Sequence, residues 1–280
     1  MYDTFSFNPE ILLRLKYPVS ILKMIFFKIL SLFRKTPSKN IILNYFGLKI
    51  YGIPSRSILA YTIYQYHSHE LIVTELIKRK ITKNMTVLDI GAYHGYYTLL
   101  ASKLVGNHGK VYAFEPLTLS LNTLKDNIAL NNFKNITISD YALHSEKIDL
   151  PLRNRHEASC IDLICKDVPE TLSVAHCISF DEFSKQLNIG KVDFVKMDIE
   201  GSELKALQGM ENTLRTYKPQ LLIELHPRKI TQFNHTINDL VTFLHDLSYK
   251  IKPIDIFQST FDDIISGKES RYVLFHVYCY

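Results

Sequence analysis

Acidic side chains follow five apolar segments of this 280-residue chain, each at the point where the apolar run stops. Carboxylates at such positions can bind an amine, hold the vicinal hydroxyls of a ribose, coordinate a hard divalent cation or take a proton. One acid after a strand also serves as a helix cap, but five such positions together favour a binding site. The residues are Asp89, Glu115, Asp140, Asp198 with Glu200, and Glu224 with His226.

Two glycines accompany the first acid in the segment VLDIGAYHGYYTLLA, which begins at Val87. Asp89, Gly91 and Gly95 form the pattern DxGxxxG, which lacks the GxGxxG turn that brings a backbone close to a pyrophosphate. The first glycine permits a tight turn, and the second lets the next helix start close to the sheet. With no phosphate anchor and with Glu115 at the next strand end, the pattern indicates an adenosine that carries an amino-acid arm.

The elements that position these residues alternate between strand and helix. Because parallel strands need crossover connections, this order predicts a doubly wound α/β domain, with helices on both faces of a mostly parallel sheet. Ligands of such sheets bind outside the carboxyl ends of the strands, where the acids lie. One helix is predicted over residues 57–80, and residues 144–177 are predicted to form an irregular polar insertion. The predicted strands lie in the segments MTVLDIG, KVYAFEP, NITISDYAL, KVDFVKMDIEG and QLLIELHP.

The composition excludes several classes of protein. With 46% hydrophobic and 22% charged residues, the chain has the make-up of a folded domain and not of a disordered segment. The formal charge of +5 is spread along the chain without dense basic clusters, so no nucleic-acid partner is predicted. The four cysteines show no CxxC spacing, which argues against a zinc site and favours a cytoplasmic location.

Residues 18–35 form an apolar segment at helical spacing that Lys23 and Lys28 interrupt. It is too short and too charged to span a bilayer, which needs about 20 mostly apolar residues, and it lacks the cleavage site of a signal peptide. Two interpretations remain: a helix that docks on the protein's own body, or a peripheral contact with the inner face of the membrane. We assign residues 1–40 to this basic, amphipathic extension and residues 41–280 to the main domain.

Over residues 43–227 the chain resembles the FkbM family of S-adenosylmethionine-dependent methyltransferases. The resemblance is carried by VLDIGAYHGYYTLLASKLV, VYAFEP, FVKMDIEGSELKALQGM and LLIELHP, and KMDIEGSE is its most discriminating part. It implies a Rossmann-like class I methyltransferase fold with a seven-stranded sheet, whose antiparallel seventh strand would lie in the apolar run from Arg271. It also implies S-adenosylmethionine as the cofactor and O-methylation of a hydroxyl, on a sugar, a glycan or a related natural product.

The resemblance also implies roles for single residues. Asp89, Gly91 and Gly95 would line the methionine and ribose side of the cofactor. Glu115 would hold the ribose hydroxyls, and Asp140 with Tyr141 would flank the adenine. The chain departs from the family at Tyr93 and His94, where an Asn and a small or apolar residue are common, and this leaves the role of that turn open.

Methyl transfer to an alcohol requires removal of a poorly acidic proton, by a general base or with a metal that lowers the pKa of the alcohol. Asp198 and Glu200 are two positions apart and would share one face if the strand continued through them. With Glu224 they could hold Mg²⁺. Alternatively, Glu200 or His226 acts as the base without a metal, and Asp198, Glu200 and His226 are the catalytic candidates.

Weaker signals lead to other expectations. His67 and His69 with Glu70 are interpreted as incidental residues of a surface helix, and not as a metal site. Two other functions are also considered: a nucleotide-binding oxidoreductase on a similar sheet, and a non-catalytic, membrane-associated module that binds S-adenosylmethionine. The missing GxGxxG turn argues against the first, and the intact acids at the strand ends argue against the second.

Overall fold

The computed structural model describes residues 36–155, 158–161, 172–256, 258–268 and 274–280. The predicted helix of residues 18–35 therefore lies outside the described residues. The strands are β1 Ile41–Tyr45, β2 Leu48–Gly52, β3 Thr86–Ile90, β4 Lys110–Phe114, β5 Ile136–Ser139, β6 Ala142–Leu143, β7 Ile148–Arg155, β8 Ala158–Ile161, β9 Leu172–Ile178, β10 Phe194–Met197, β11 Gln220–Leu225, β12 Ile251–Pro253 and β13 Phe275–Cys279. The α-helices are α1 Ile58–Tyr66, α2 Leu71–Lys80, α3 Tyr96–Val105, α4 Thr118–Asn131, α5 Phe180–Gln186, α6 Glu203–Gln208, α7 Glu211–Tyr217, α8 Pro227–Ile230, α9 Ile237–Asp246 and α10 Gln258–Ile265.

Seven strands form the main sheet in the order β12-β13-β11-β10-β3-β4-β5. Only β13 among them runs against its neighbours, because it pairs antiparallel with both β11 and β12 while the remaining pairs are parallel. The predicted Rossmann-like class I methyltransferase sheet, including its antiparallel last strand, is confirmed. The described strand is Phe275–Cys279, within the expected apolar run, and Arg271 itself lies outside the described residues.

Alternate residues of the strands face opposite layers of the core. In β3, Leu88 and Ile90 pack into one cluster with α6, α7 and α9, while Val87 packs into a second with α1, α2 and α3. A strand buried on both faces must be apolar throughout, which explains why TVLDI lacks the polar alternation of a surface strand. Its one acid, Asp89, is the exception, and this exception indicates a functional role.

The chain leaves β3 toward β4 and β5 on one side and returns through β10 and β11 on the other. The point where the strand order reverses is therefore the β3–β10 pair, in which Asp89 lies opposite Lys196. Ligands of doubly wound sheets bind at this point, outside the carboxyl ends of the strands. Within the part of the chain that is described, none of the helices has the length and the apolar character needed to cross a membrane.

Two predictions about local structure are wrong. Residues 57–80 form two helices, because His67 and Glu70 adopt left-handed backbone conformations that interrupt the helix between α1 and α2. The insertion expected to be irregular contains β7, β8 and β9, which with β6 form a second sheet in the order β6-β9-β7-β8. The pairing of β7 with β9 joins distant residues, such as Leu150 with Ala175, and local sequence patterns do not reveal pairings of that kind.

Candidate active site

A cavity of about 220 Å³ lies at the carboxyl ends of β3, β4 and β10. Five residues predicted from the sequence line it: Gly91, Glu115, Tyr141, Asp198 and Glu200. They come from four separate segments of the chain, which the sheet brings together. The sheet thus assembles at one edge the acids that the sequence places at successive strand ends.

Gly91 is the point where the turn after β3 meets the turn after β10. Its φ is 81°, and an added Cβ would overlap the carbonyl oxygen of Asp198. Its amide and that of Ala92 both donate to the carbonyl of Phe114, at 3.0 Å each. Glycine is required here by backbone conformation and by the close approach of the neighbouring strand end, and both constraints fix the floor of the cavity.

Glu115 directly follows β4 and is held by backbone amides. Its carboxylate accepts hydrogen bonds from the amide of Tyr93 at 2.8 Å and from the amide of Leu117 at 2.9 Å. Burial is the largest influence on this carboxyl and raises its pKa to about 7, while the two amides oppose that shift. A carboxylate that is anchored by amides and borders the cavity is well placed to accept hydrogen bonds from ligand hydroxyls.

Lys196 and Asp198 form a partly buried ion pair on the other side of the cavity, with 3.3 Å between Nζ and the carboxylate. Burial alone would lower the pKa of Lys196, but Asp198, Asp89, Glu224 and Glu70 raise it. Burial likewise raises the pKa of Asp198, and Lys196 followed by His226 outweighs it and lowers that pKa to about 2. Both groups are therefore charged at neutral pH, and Lys196 is the cation around which these acids lie.

The turn after β10 separates Asp198 from Glu200. Because β10 ends at Met197 and Glu200 is left-handed with a φ of 59°, the strand does not continue through the two carboxylates, and the condition for a shared strand face is not met. Glu200 instead pairs with Lys229 and lies 3.2 Å from Nε2 of His226. The other ring nitrogen of His226 contacts Glu203 at 3.2 Å.

A second buried histidine lies among acids at the end of the sheet. His276 on β13 contacts Asp255 through Nδ1 at 2.7 Å, while its Nε2 lies 3.3 Å from Glu224 and 3.8 Å from Glu70. Burial alone would lower the pKa of His276, but these carboxylates raise it well above its usual value. Burial and then Asp198 raise the pKa of Glu224 to about 7.

Comparisons with known proteins identify the family. A family model described as "Methyltransferase FkbM domain" matches residues 89–251, more than half of the chain. The chain belongs to the FkbM methyltransferase family. This membership confirms the predicted class of enzyme, an S-adenosylmethionine-dependent methyltransferase. A second model, described as protein-L-isoaspartate(D-aspartate) O-methyltransferase, matches residues 28–141.

A curated relative and two solved structures are similar to this FkbM-family chain. A protein-L-isoaspartate O-methyltransferase of Methanococcoides burtonii is 28% identical over 33% of the chain, which spans 44% of that relative. The methyltransferase FkbM of Methylobacillus flagellatus is 19% identical, with a TM-score of 0.45, over 81% of this chain and 56% of that one. A SAM-dependent methyltransferase of Aquifex aeolicus is 20% identical, with a TM-score of 0.42, over 74% of this chain and 88% of that one.

Other predicted site residues lie away from the cavity surface of this FkbM-family domain. Of the residues lining the cavity in the described part of the chain, none is Asp89, Gly95, Asp140, Glu224 or His226. Asp89 is buried, accepts a hydrogen bond from Thr98 at 2.5 Å and lies beside Lys196 in the sheet. Gly95 caps α3, and Asp140 is exposed.

The departure from the family pattern at Tyr93 and His94 has a structural counterpart. The two rings stack with their centroids 3.7 Å apart, and only Tyr93 of the pair lines the cavity. Burial lowers the pKa of His94 to about 4, so its ring is neutral at physiological pH. Tyr93 is therefore the member of this FkbM-family turn that meets the ligand space.

Sequence reasoning missed part of the site of this FkbM-family domain. His69 and Glu70 line the cavity, because the left-handed residues between α1 and α2 turn them inward, so their interpretation as surface-helix residues is wrong. Tyr97 lines it too and donates to Glu70 at 2.6 Å. His276 lies in an otherwise apolar C-terminal strand, and this isolated polar residue was the signal available.

Proposed function

We propose that the chain transfers the methyl group of S-adenosylmethionine to a hydroxyl, on a sugar, a glycan or a related natural product. One observation carries the proposal: a single cavity joins an amide-anchored acid, Glu115, to a group of ionised side chains around Lys196 and Asp198. The first end suits a ribose, and the second suits a cationic donor and a polar acceptor. Membership of the FkbM family supports this arrangement.

For the donor, we propose that Glu115 holds the ribose hydroxyls, that Tyr141 flanks the adenine, and that the Gly91 turn lies against the methionine and ribose. Glu115 and Tyr141 border the same cavity, which supports placing adenosine between them. Asp89 and Gly95 then act indirectly, by shaping the turn and the start of α3. Asp140 would reach the adenine only from the rim, because its side chain is exposed.

For the reacting end, we propose different roles for Asp198, Glu200 and His226. Asp198 borders the cavity and stays ionised because Lys196 opposes the effect of its burial, so it is a weak base but a strong hydrogen-bond acceptor. It would orient the acceptor hydroxyl or the ammonium of the donor. Glu200 borders the cavity too, and His226 holds that carboxylate from behind through Nε2.

The predicted metal site does not fit well. Asp198, Glu224 and His226 have ligand atoms within 4.8 Å of one another, as do Glu70, Glu224 and His276, but Glu200 belongs to neither group. The two histidines contact acids through both ring nitrogens, so neither offers a free lone pair. Lys196 and the two histidines already supply positive charge there, and we derive no catalytic step through Mg²⁺.

For the acceptor, a hydroxyl is favoured over a carboxylate. A carboxylate, the group that the isoaspartate enzyme's name implies, is ionised at neutral pH and needs no base. The cavity instead surrounds the reacting end with buried groups of shifted pKa, which is what deprotonating an alcohol requires. The second sheet contributes Leu152 to the lining, and we propose that this sheet helps to select the acceptor.

The proposal also covers the limits of the methyltransferase domain. We propose that the methyltransferase domain occupies residues 41–280, because β1 starts at Ile41 and β13 ends at Cys279. Residues 1–40 would form the extension that docks on this domain or contacts the inner face of a membrane. Deleting residues before Pro37 and measuring sedimentation with anionic liposomes tests the second option.

Binding of the donor tests the proposal first. The variant Glu115→Gln should weaken S-adenosylmethionine binding about tenfold in calorimetry at pH 8. It removes the negative charge of the side chain that accepts hydrogen bonds from the ribose hydroxyls. Glu211→Gln makes the same change on the surface and should bind normally. Equal affinities in the two variants would refute the assigned role of Glu115, and a wild-type protein that fails to bind the donor would refute the function.

Transfer to the acceptor tests it second. Wild-type protein, S-adenosylmethionine with a deuterated methyl group, and separate glycan and peptide extracts from cells that lack the protein should yield deuterated methyl ethers in the glycans by mass spectrometry. Deuterium in carboxylate esters of peptides, and none in sugars, would identify a carboxylate acceptor instead.

A further inference from the structure

The link between α1 and α2 carries a histidine to the cavity. The amide of His69 donates to the hydroxyl of Tyr96 at 3.0 Å, and its carbonyl accepts from the hydroxyl of Thr74 at 2.6 Å. Its ring lies edge-on to the ring of Tyr96, with 5.7 Å between centroids. The side chain is only 19% exposed, so the backbone and the ring are both held in place at the cavity wall.

The hydrogen bonds around Thr62 bear on which ring nitrogen of His69 carries the proton. The hydroxyl of Thr62 donates its single proton to the carbonyl of Leu59 at 3.0 Å, and the same oxygen lies 2.9 Å from Nδ1 of His69. When that proton goes to Leu59, the oxygen accepts from Nδ1, and this is the arrangement on which the proposal rests. The lone pair of the neutral ring is then on Nε2.

Nε2 lies beside a second acceptor. The Glu70 carboxylate is 3.6 Å from it and is oriented by Tyr97, whose hydroxyl donates at 2.6 Å. Burial is the largest influence on the pKa of His69 and lowers it, so the ring is neutral at physiological pH, and the charge of Glu70 opposes that shift. A proton arriving on Nε2 would meet the carboxylate, which would stabilise the imidazolium.

We propose that His69 is the general base of the methyl transfer, an inference that rests on the function proposed above. The acceptor oxygen forms a bond to the methyl carbon as the carbon–sulfur bond breaks, and that electron pair stays on sulfur. The hydroxyl proton moves to Nε2 of His69. The products are a methyl ether, S-adenosylhomocysteine and an imidazolium that Glu70 stabilises until the proton leaves to solvent.

Three other ionisable groups near the cavity suit this step less well. Asp198 has a pKa of about 2 and therefore little affinity for a proton. Burial would lower the pKa values of His226 and His276, but Glu203 raises that of His226, and Glu224 with Asp255 raises that of His276, so both rings hold a proton more firmly than an ordinary histidine. His69 combines a lowered pKa with a position on the cavity wall.

Nuclear magnetic resonance of the full chain tests the ring state without any acceptor. In protein labelled with ¹⁵N-histidine, the His69 signals are assigned as those missing from His69→Gln. At pH 7.5 they should show a protonated Nδ1 and a bare Nε2. An imidazolium, or a proton on Nε2, would overturn the proposal.

Transfer of the deuterated methyl group tests the catalytic role. With the glycan extract, His69→Gln should lower the rate roughly 100-fold or more and leave S-adenosylmethionine affinity within about twofold. With saturating S-adenosylmethionine, it should also abolish the acidic limb of the pH–rate profile, which reflects a ring that faces Glu70, Asp198, Lys196 and His276. His67→Gln, an exposed histidine two residues earlier, should keep wild-type kinetics.

The result against the proposal is a His69→Gln protein with the wild-type rate and pH profile. Failure of the wild-type protein to methylate any component of the extract counts instead against the hydroxyl acceptor. The two failures are distinguishable, because the magnetic resonance measurement of His69 involves no acceptor.

Discussion

The two ends of the cavity are built in different ways. At the Glu115 end, backbone amides hold the one carboxylate, and the residues that supply them lie within a few positions of a strand end. At the Lys196 end, charged side chains hold one another, and they come from segments as distant as Glu70 and His276. The first end follows from chain geometry, whereas the second exists only once distant segments have paired.

The difference has an energetic consequence. Amides anchor Glu115 without adding net charge, so the cost of that site is mainly the burial of one carboxyl. The Lys196 end gathers four buried or partly buried acids around one permanent cation, and at such low exposure each of them depends on the others. Removing one group should therefore perturb the Lys196 end far more than the Glu115 end.

Gly91 joins the two ends, so it should give the largest effect. The variant Gly91→Ala combines a left-handed backbone with a Cβ that overlaps the Asp198 carbonyl, and we expect it to cost about 5 kcal/mol in the free energy of unfolding. Urea denaturation followed by circular dichroism measures this cost.

Gly106→Ala is the matched control for that variant. Gly106 also has a positive φ, 69°, but an added Cβ would have no neighbour within 4 Å. It should cost about 1–2 kcal/mol from backbone strain alone. Equal losses in the two variants would mean that the approach of Asp198 to Gly91 does not constrain the site.

Lys196→Met tests the dependence of the acids on their cation. Removing a buried charge while its partners stay behind should cost about 3–5 kcal/mol. The control is Lys191→Met, which breaks the ion pair with Asp193 at 2.7 Å, where the lysine is 66% exposed. Exposed pairs contribute about 0–1 kcal/mol, so this variant should unfold almost like wild type. A Lys196 variant as stable as the Lys191 variant would show that the acids do not need their cation.

The contrast also explains what could be predicted from the sequence. Gly91, Glu115 and Tyr141 could be predicted as cavity residues because the end of an apolar strand is visible in the sequence. The sheet order follows from strand–helix alternation. Glu70 and His276 could not be predicted, because their relation to Asp198 depends on a left-handed link and on a strand added last to the sheet. The second sheet was missed for the same reason, since Leu150 meets Ala175 only through strand pairing.

Glu224→Gln should have the smallest effect of the three, and one that depends on pH. Burial and Asp198 raise the pKa of Glu224 to about 7 in the folded protein, against 4.5 for an ordinary glutamate. The folded state therefore binds more protons than the unfolded state between these values, so the stabilisation from Glu224 is complete below about pH 4.5 and is lost as the pH rises through about 7. The total change is at most about 3 kcal/mol.

The difference in unfolding free energy between wild type and Glu224→Gln isolates this contribution, because Glu115 and His94 titrate in both proteins. That difference should shrink steadily from pH 5 to pH 8, since glutamine has no proton to lose. Glu211→Gln removes an exposed carboxylate that pairs with Arg215, and its difference from wild type should stay flat over the same range. A flat difference for Glu224→Gln as well would mean that its carboxyl stays ionised. Cations alone would then balance the charges of the acids at the Lys196 end. Glu224 would not keep the proton that its burial beside Asp198 predicts.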